Sequence, residues 1–379
     1  MNGGGGRRLL RQLYRAALSG ADPRNRVETA LGEAKVELIL GLAQEVGAFA
    51  VGKAASGMIR GARGRFSRGL AILPKGGPVF SLPGVEVLSS AHPEPDRSSV
   101  AAARRALEFF SSFGPEDVIL CLVSGGTSSL LALPRRGVTL SQKRRAVARL
   151  ASSGASILEL NRLRTRLSAI KGGRLGASTP AKLVTLVLSD VPGDRAAVVG
   201  SGPTIRARRG DLVRIIGVNA DGLAAAEAEA RRQGLSVTRA RSRMSGEARE
   251  AGKRFARRAI RLHPGQALVA GGETTVTLSR PRGRGGRNLE FALGAALEIE
   301  DETGLYLLAA GSDGRDGTSR GAGAFADGRT VERARRGRLD PDRALDRHTT
   351  DAFFGRLGDL FVTGPTGVNV ADWAFALRL

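Results

Sequence analysis

The sequence is poor in the residues that build disulfides, metal clusters and base-stacking surfaces. It has one cysteine, Cys121, and three histidines in 379 residues, which excludes an internal disulfide framework and a cysteine-based zinc cluster. Because no oxidised cross-link is needed, we expect a reducing, cytoplasmic location. Aromatic residues make up only 4% of the chain, and they do not alternate with basic residues as base-stacking surfaces require.

Long apolar runs are also missing. The longest, residues 118–123 and 184–188, fall far short of the roughly 20 residues that cross a bilayer, so no membrane span or membrane partner is expected. The first twenty residues lack the apolar run and cleavage site of a secretory signal. Their spacing of Leu and Ala predicts an amphipathic helix instead.

Acidic residues are scarce relative to basic ones. The chain has 59 Lys and Arg against 36 Asp and Glu, a formal charge of +23, which raises the possibility of a nucleic-acid binder. The arginines are spread along the whole chain, however, so we expect no specific nucleic-acid partner. The alternative is a solvated basic surface that concentrates anionic substrates. An apolar content of 42% is enough for a folded core, in a monomer or homodimer.

Short apolar runs alternate with helical periodicities from about residue 27 to 260. This pattern predicts an α/β fold with βα units around a mostly parallel sheet. The pattern of apolar runs and charged residues changes near residue 240. This change predicts a Rossmann-like domain over residues 1–240 and a smaller α/β domain over residues 241–379, with a charged loop at 328–347. The predicted strands of the first part are Ala48–Val51, Leu70–Leu73, Val85–Ser89, Asp117–Val123, Leu183–Leu188, Ile215–Val218 and Ser236–Arg239. The predicted helices are Val27–Leu42, Ser98–Phe110, Leu140–Ser152, Ile157–Leu167 and Asp221–Gln233.

A glycine-lysine turn follows the first predicted strand. Residues 47–53 have the spacing of a phosphate-binding P-loop, but Ala54 stands where that motif needs a metal-binding hydroxyl. What remains is Lys53 at the start of a helix that also contains Ser56, where an ammonium and free N–H groups can face one anion. The alternative is a surface lysine on a tight turn.

A second glycine-rich stretch, Ser124-Gly125-Gly126-Thr127, follows the strand that ends at Val123. Small residues let the backbone approach phosphate oxygens, and the hydroxyls add donors, so the stretch is a candidate nucleotide site. A plain helix cap would have the same composition.

A third group of turns carries acids and hydroxyls. Asp190 and Asp194 lie four residues apart on a Pro-Gly turn, where they could hold Mg²⁺ or a substrate hydroxyl, or simply stabilise the turn. The loop that follows is suited to phosphates, and Asn219 comes directly after another predicted strand. The nucleotide-binding candidates in this region are Ser201, Gly202, Thr204 and Asn219.

A basic helix face forms the fourth group. Asn161, Arg164, Ser168 and Lys171 recur at three- and four-residue steps, which would place an amide, a guanidinium, a hydroxyl and an ammonium on one face. Such a face suits a carboxylate or a phosphate. The alternative is a solvated face, because arginine is common throughout the chain.

In the last third, acids follow predicted strands and an arginine lies in a glycine loop. Glu273 and Asp313 are the acids, and Arg287 lies in Gly283–Glu290. Phosphoryl transfer needs positioning and neutralisation of charge, which these residue types supply. The histidines are far apart, and only His92, in a proline-braced loop, is a further candidate.

Together these motifs resemble the class II glycerate 2-kinases, the MOFRL family, some of whose members are labelled hydroxypyruvate reductases. The resemblance extends from about residue 7 to 379. It is carried by Gly52-Lys53-Ala54, His92-Pro93-x-Pro95-Asp96, Ser124-Gly125-Gly126, Leu167-Ser-x-Ile-Lys171-Gly-Gly-Arg-Leu, Ser189-Asp190-Val-x-Gly-Asp194, Gly-Gly-Glu273-Thr-Thr-Val, Gly-Gly-Arg287-Asn288 and Thr363-Gly-Pro-Thr-Gly.

The resemblance implies transfer of the γ-phosphoryl group of ATP, with Mg²⁺, to the 2-hydroxyl of D-glycerate, giving 2-phosphoglycerate. It also implies a Rossmann-like domain, a smaller α/β domain and a site in the cleft between them. Lys53 and Arg287 match positions expected to be catalytic, and we expect them to meet across that cleft. Asp190 would bind Mg²⁺ or orient the hydroxyl as a base, with Glu273 as a further metal ligand. The substrate-binding candidates are Ser56, Asn161, Arg164, Lys171 and Asp313.

The sequence departs from the family pattern at several positions. Leu289 stands where Gln is usual, Arg315 replaces an apolar residue, residues 318–321 lack a usual acid, and residues 348–350 replace an Asn-containing turn. The change at Arg320 opens the alternative of an acceptor other than glycerate. The competing activity, NAD(P)H-dependent reduction of hydroxypyruvate, would need a G-x-G-x-x-G turn after a strand. The N-terminal part has no such turn.

Overall fold

The fold consists of two compact units, described here from a computed structural model that covers residues 4–77, 79–153, 157–278 and 283–379. The first, the parallel-sheet unit, comprises Asp22–Val218 and Gly367–Val370. The second, the mixed-sheet unit, comprises Met1–Ala21, Asn219–Thr366 and Ala371–Leu379. Each unit contains one six-stranded sheet.

The strands are β1 Val46–Val51, β2 Arg68–Pro74, β3 Val85–Ser90, β4 Val118–Val123, β5 Lys182–Leu188, β6 Leu212–Gly217, β7 Ser236–Arg239, β8 Gln266–Gly272, β9 Leu305–Gly311, β10 Gly323–Asp327, β11 Leu360–Phe361 and β12 Asp372–Arg378. The helices are α1 Gly4–Gly20, α2 Pro23–Leu31, α3 Ala34–Gly41, α4 Ala55–Gly61, α5 Arg97–Ser111, α6 Thr127–Leu130, α7 Leu140–Ser152, α8 Ile157–Arg166, α9 Asn219–Arg232, α10 Ala248–Ala259, α11 Arg287–Glu298, α12 Thr330–Arg336, α13 Pro341–Asp346 and α14 Thr350–Leu357. None of the helices in the described ranges has the length and apolar composition of a membrane span.

The first sheet is parallel throughout, in the order β3-β2-β1-β4-β5-β6. Its central strands are apolar on both faces, and all six residues of β4 are buried. Helices cover both faces of such a sheet, so its strands have continuous apolar runs rather than alternation. The sequence prediction of a Rossmann-like parallel sheet is confirmed. The strand order reverses between β1 and β4, and ligands of open α/β sheets bind at this switch point.

The second sheet is mixed, in the order β11-β10-β9-β12-β8-β7. Its central strand, β12, runs antiparallel to both β8 and β9, whereas β7 and β8 are parallel. Helix α11 packs in the core of this unit and is apolar nearly all round, as expected for a fully buried helix. The second α/β fold is therefore also confirmed.

The compact units differ from the predicted ranges 1–240 and 241–379. Strand β7 pairs with β8 in the mixed sheet, so α9 and β7 belong to the second unit and the division falls at Val218. Helix α1 also belongs there, because the Tyr14 hydroxyl donates to the Gly311 carbonyl oxygen at 2.8 Å. Pairing between segments distant in sequence determines this division, and local composition does not show it.

Two predictions of secondary structure were wrong. A single helix was predicted over Val27–Leu42, but the structure has two. Helix α2 ends at Leu31, where the Gly32 N–H caps it by donating to the carbonyl oxygens of the preceding turn, and α3 begins at Ala34. The charged stretch 328–347 contains α12 and α13 rather than a loop alone. Asp340 accepts a hydrogen bond from the Arg343 N–H, which caps α13, and Pro341 follows at its first position.

Candidate functional site

Lys53 lies at the carboxyl end of β1, in the turn that leads to α4. Its backbone N–H donates to the Gly125 carbonyl oxygen at 2.9 Å, and the Ala54 N–H donates to the Ser124 hydroxyl at 3.1 Å. Gly52 has a φ of +123°, and a side chain there would overlap Ser124. The turns after β1 and β4 are thus hydrogen-bonded to each other at the switch point of the sheet.

The predicted phosphate loop, Ser124–Thr127, uses its own hydroxyls internally. Thr127 Oγ1 lies 2.7 Å from the Ser124 carbonyl oxygen and 3.1 Å from that of Val51. Gly126 has a φ of +86°, and a Cβ there would lie 3.2 Å from both the Lys53 side chain and the His92 ring. The loop therefore brings Lys53 and His92 to one glycine, while the predicted hydroxyl donors hold the turn together.

Asp190 follows β5 and lies against the same loop. Its Oδ2 accepts a hydrogen bond from Asn369 Nδ2 at 2.9 Å. A Cβ on Gly125 would overlap both of these side chains, so this position admits only glycine without rearrangement. The motif Thr363-Gly-Pro-Thr-Gly, which ends two residues before Asn369, was noted in the sequence, but Asn369 itself was not predicted to be functional. Its signal was the glycine-rich composition around it.

The loop that contains Ser201 and Gly202 is fixed to the turn after α8. The Gly172 and Gly173 N–H groups donate to the Ser201 and Gly202 carbonyl oxygens at 2.9 and 2.8 Å. The hydroxyl of Ser201 is buried, with no hydrogen-bond partner in the described part of the chain. Thr204, in contrast, is buried 3.3 Å from the Thr185 hydroxyl and contributes to packing.

The predicted basic face is only partly helical. Helix α8 ends at Arg166, so Asn161 and Arg164 lie on it and Lys171 does not. The helix ends because the Ser168 hydroxyl accepts from the Ile170 and Lys171 N–H groups, forming a turn. Lys171 nonetheless donates from Nζ to the Ser128 carbonyl oxygen at 2.8 Å.

Two predicted residues of the parallel-sheet unit remain. Ser56, the remaining substrate candidate, is partly exposed in the first turn of α4. Asp194 accepts from the Ser189 hydroxyl at 2.8 Å, which stabilises the turn around Asp190.

In the mixed-sheet unit, Arg287 is the first residue of α11 and is held by two acids. Its Nε donates to Asp372 Oδ2 at 2.5 Å and its Nη2 to Asp372 Oδ1 at 3.0 Å, while Nη1 donates to Glu273. Burial by itself lowers the pKa of Arg287, but the neighbouring carboxylates, Asp372 first and then Glu273 and Asp316, together outweigh burial, and the net pKa is raised. The guanidinium is therefore a fixed cation.

Asp316 supports the start of α11. Its carboxylate accepts from the Asn288 N–H at 3.0 Å and from the Leu289 N–H at 2.8 Å, two donors that a helix N-terminus leaves without an intrahelical acceptor. A side chain on Gly286 would overlap Asp316. Burial raises the pKa of Asp316 to about 7. Neither Asp316 nor Asp372 was predicted from the sequence to be a functional residue.

The other predicted residues of this unit, Glu273, Asp313 and Asn219, have different hydrogen-bond partners. Glu273 follows β8 and is bound by Arg287. Asp313 follows β9, and its Oδ1 accepts from the Arg315 N–H at 3.0 Å. Asn219 is buried, donates to the Asp372 carbonyl oxygen at 3.0 Å and would overlap a side chain on Gly271, so it contributes to the packing of this unit.

The departures from the family pattern have structural counterparts. Leu289 is buried in the apolar core. The Arg320 N–H donates to Asp351 Oδ1 at 3.1 Å, and the Ser319 hydroxyl donates to it at 2.6 Å. An acid thus lies beside residues 318–321, although that stretch lacks one. His348 Nδ1 lies 2.7 Å from Glu290 Oε1 in a buried pair.

Within the described residues, no three His, Cys, Asp or Glu side chains form a group that could hold a metal ion. Mg²⁺ is usually held by one or two carboxylates together with substrate phosphates, so it does not require such a group.

Comparison with known proteins gives two family matches. Residues 9–219 match a domain of unknown function, DUF4147, and residues 266–372 match the MOFRL family. The chain is 35% identical, over 97% of its length and 93% of the relative's, to an Agrobacterium vitis protein that carries hydroxypyruvate reductase in its name. It is 33% identical, over 86% and 89%, to the D-glycerate 2-kinase of Thermotoga maritima. The crystal structure of a Thermotoga maritima glycerate kinase superimposes with a TM-score of 0.84 at 31% identity, covering 98% and 99% of the two chains.

Proposed function

The chain belongs to the MOFRL family of class II glycerate kinases, and we propose that it transfers the γ-phosphoryl group of ATP to the 2-hydroxyl of D-glycerate. The observation that carries the proposal is the hydrogen-bonded pair of turns after β1 and β4, which holds Lys53 beside a glycine loop. Ligands of parallel α/β sheets bind at this switch point.

The reaction forms a bond between the acceptor oxygen and the γ-phosphorus and breaks the bond from that phosphorus to the β–γ bridging oxygen, which leaves with ADP. The hydroxyl proton goes to the Asp190 carboxylate in the base role. Little covalent chemistry falls to the protein, so positioning and neutralisation of charge supply most of the rate. Lys53 supplies a positive charge from the turn after β1.

Arg287 supplies the second positive charge. Asp372 binds it through two nitrogens, so its orientation is fixed before substrate arrives. Such a prepared cation needs no reorganisation when charge moves in the transition state. That Lys53 and Arg287 act on the same phosphoryl group remains a prediction.

When bound, Mg²⁺ would neutralise charge on the phosphate oxygens. Asp190 fits this role as a carboxylate ligand on a turn after a strand. Glu273 fits less well, because Arg287 already binds it and a guanidinium repels a cation. Asp190→Asn separates the two roles of Asp190. Loss of the base lowers kcat even at saturating Mg²⁺, whereas loss of a metal ligand raises the Mg²⁺ concentration needed for half-maximal turnover.

The test of the proposal is ADP formation from ATP and Mg²⁺ in the presence of D-glycerate, compared with glycerol and with no acceptor. We expect glycerate-dependent turnover at least a hundredfold above both controls. Equal ADP formation in all three reactions would contradict a glycerate acceptor.

A second candidate activity follows from the name of the Agrobacterium vitis relative. NAD(P)H-dependent reduction of hydroxypyruvate would use the same switch point. The turn after β1, Gly52-Lys53-Ala54-Ala55-Ser56-Gly57, has Ala54 in place of the second glycine of G-x-G-x-x-G, the glycine that lets the backbone approach the pyrophosphate. We therefore expect no oxidation of NADH or NADPH with hydroxypyruvate. Measurable oxidation would favour the reductase.

A further inference from the structure

The parallel-sheet unit buries a group of three cations around α7 and α8. Lys143 on α7 is 5% exposed and Lys171, in the turn after α8, is 2% exposed, and Arg164 on α8 is partly buried. The Lys143 Nζ is buried and has no hydrogen-bond partner in the described part of the chain. We call Lys143, Arg164 and Lys171 the cationic cluster.

In the described part of the chain, the hydrogen-bond partners of Arg164 and Lys171 are neutral. Lys171 donates from Nζ to the carbonyl and hydroxyl oxygens of Ser128, and Arg164 donates from Nη1 to Asn161 Oδ1 at 3.3 Å. The charges that act on Lys171 come from Lys143 and Arg164, and both are positive. Buried cations are normally paired with an acid, because removal of a charge from water costs several kcal/mol.

The protonation behaviour of the two lysines follows from this arrangement. Burial, then repulsion by Arg164, lowers the pKa of Lys143 to about 8. Burial, then repulsion by Lys143 and Arg164, lowers the pKa of Lys171 well below its usual range. Near neutral pH, a bound anion would favour the charged forms and offset the repulsion among them.

A cavity of about 410 Å³ adjoins the cationic cluster through Asn161, which lines it and also accepts from Arg164. Ser201, whose buried hydroxyl has no partner in the described residues, lines the same cavity. The basic residues that line the cavity are Arg162, Arg166 and Arg174. The cavity therefore offers positive charge to an anion, and its buried side carries the Ser201 hydroxyl, which has no partner in the described residues.

We propose that Lys143, Arg164 and Lys171 bind the carboxylate of the acceptor, a small 2-hydroxy acid. This assignment rests on the proposed glycerate kinase activity. Lys171 contacts Ser128, directly after the loop predicted to hold ATP phosphates, so a carboxylate bound here would lie near that loop. Lys143 was not among the residues selected from the sequence, because a single lysine in an arginine-rich helix has the pattern of a solvated face.

Lys143→Met tests the site, with Lys143→Arg as the conservative variant and the exposed Lys182→Met as the matched control for loss of one charge. Calorimetric binding of D-glycerate in the absence of ATP should weaken at least tenfold in Lys143→Met. It should be largely restored in Lys143→Arg and unchanged in Lys182→Met. The KM for D-glycerate should rise by the same factor, while the KM for ATP changes less than twofold.

The melting temperature provides a second readout that a merely structural residue would not give. Removal of a buried, unpaired charge should raise the melting temperature of Lys143→Met without ligand, and should reduce the further rise caused by D-glycerate. A lower melting temperature with unchanged glycerate affinity would overturn the proposal. Equal weakening of glycerate, ATP and inorganic phosphate would assign the cluster to phosphates instead.

Failure of the carboxylate site can be distinguished from failure of the proposed kinase activity. If the wild-type protein shows no glycerate-dependent turnover, the kinase proposal fails. The carboxylate site is then tested by thermal stabilisation with glycolate and lactate, compared with the uncharged ethylene glycol. Stabilisation by the two acids that is lost in Lys143→Met would support the site, and equal effects of all three compounds would overturn it.

Discussion

The pair formed by Arg287 and Asp372 gives a quantitative prediction for the mixed-sheet unit. Asp372 is 2% exposed and binds the guanidinium through two nitrogens, at 2.5 and 3.0 Å. Arg287→Met would leave this carboxylate buried without its main partner. Removal of one partner of a buried ion pair costs about 3–5 kcal/mol. Because the Arg287 side chain is 34% exposed, water can replace part of the interaction, so we expect about 3 kcal/mol.

The double variant Arg287→Met/Asp372→Asn separates stability from catalysis. It removes both charges, so most of the lost stability should return, since replacement of both members of a buried pair is often close to neutral. Turnover should stay at least a hundredfold below the wild-type value, because the fixed cation is absent in both variants. Arg287→Lys should not restore turnover, because an ammonium cannot reproduce the two-nitrogen geometry.

The assay combines urea unfolding with steady-state turnover for the wild type and these three variants. We expect a low urea midpoint for Arg287→Met, a nearly normal midpoint for the double variant, and low turnover in both. Recovery of turnover together with stability in the double variant would refute a catalytic role for Arg287. Its charge would then serve only to neutralise Asp372.

Three further predictions concern other positions. Burial raises the pKa of Asp316 to about 7 from 3.8. Its contribution to the free energy of unfolding is therefore fully present below about pH 4 and is lost as the pH rises through 7. The free energy of unfolding falls by about 4 kcal/mol over this range. The urea midpoint of Asp316→Asn should therefore vary less with pH over this range than that of the wild type, and an identical variation would contradict this. Lys53→Ala should leave the protein folded and lower kcat at least a hundredfold, and near-normal turnover would exclude Lys53 from catalysis. Gly125→Ala should lower the free energy of unfolding in urea by about 2 kcal/mol, because its Cβ would overlap Asp190 and Asn369. Gly41→Ala, with open space around it, should not lower this free energy and serves as the control.

Much of the parallel-sheet unit could be predicted from local pattern. Strand β4 is an uninterrupted apolar run bounded by turn residues, and such runs are typical of strands covered on both faces. The positions of Lys53 and Ser124 followed, because the turns after neighbouring parallel strands meet at one edge of the sheet. Local pattern was sufficient here because strand and turn are adjacent in sequence.

The rest depends on contacts between residues distant in sequence. Asn369 contacts Asp190 across 179 positions, and Asp372 contacts Arg287 across 85 positions. Such pairs leave no periodicity in the sequence. Strand β7 was assigned to the wrong part of the fold for the same reason, since only its pairing with β8 identifies its sheet.

Burial of individual basic residues could not be predicted either. In a chain with 59 basic residues, Lys143 has the same local pattern as the exposed arginines that follow it on α7. Only the packing of α7 distinguishes the buried lysine from its solvated neighbours. The same holds for Asp316, because a turn-forming aspartate and a buried helix-capping aspartate have the same local sequence.

The position of the new phosphate ester tests the central claim most directly. The protein is incubated with ATP, Mg²⁺ and D-glycerate, and the product is followed by phosphorus NMR and by enolase, which accepts only the 2-phosphate isomer. We predict 2-phosphoglycerate, formed in equal amount with ADP and fully consumed by enolase. A product that enolase leaves untouched, or ADP formed without any phosphorylated glycerate, would contradict the proposed function.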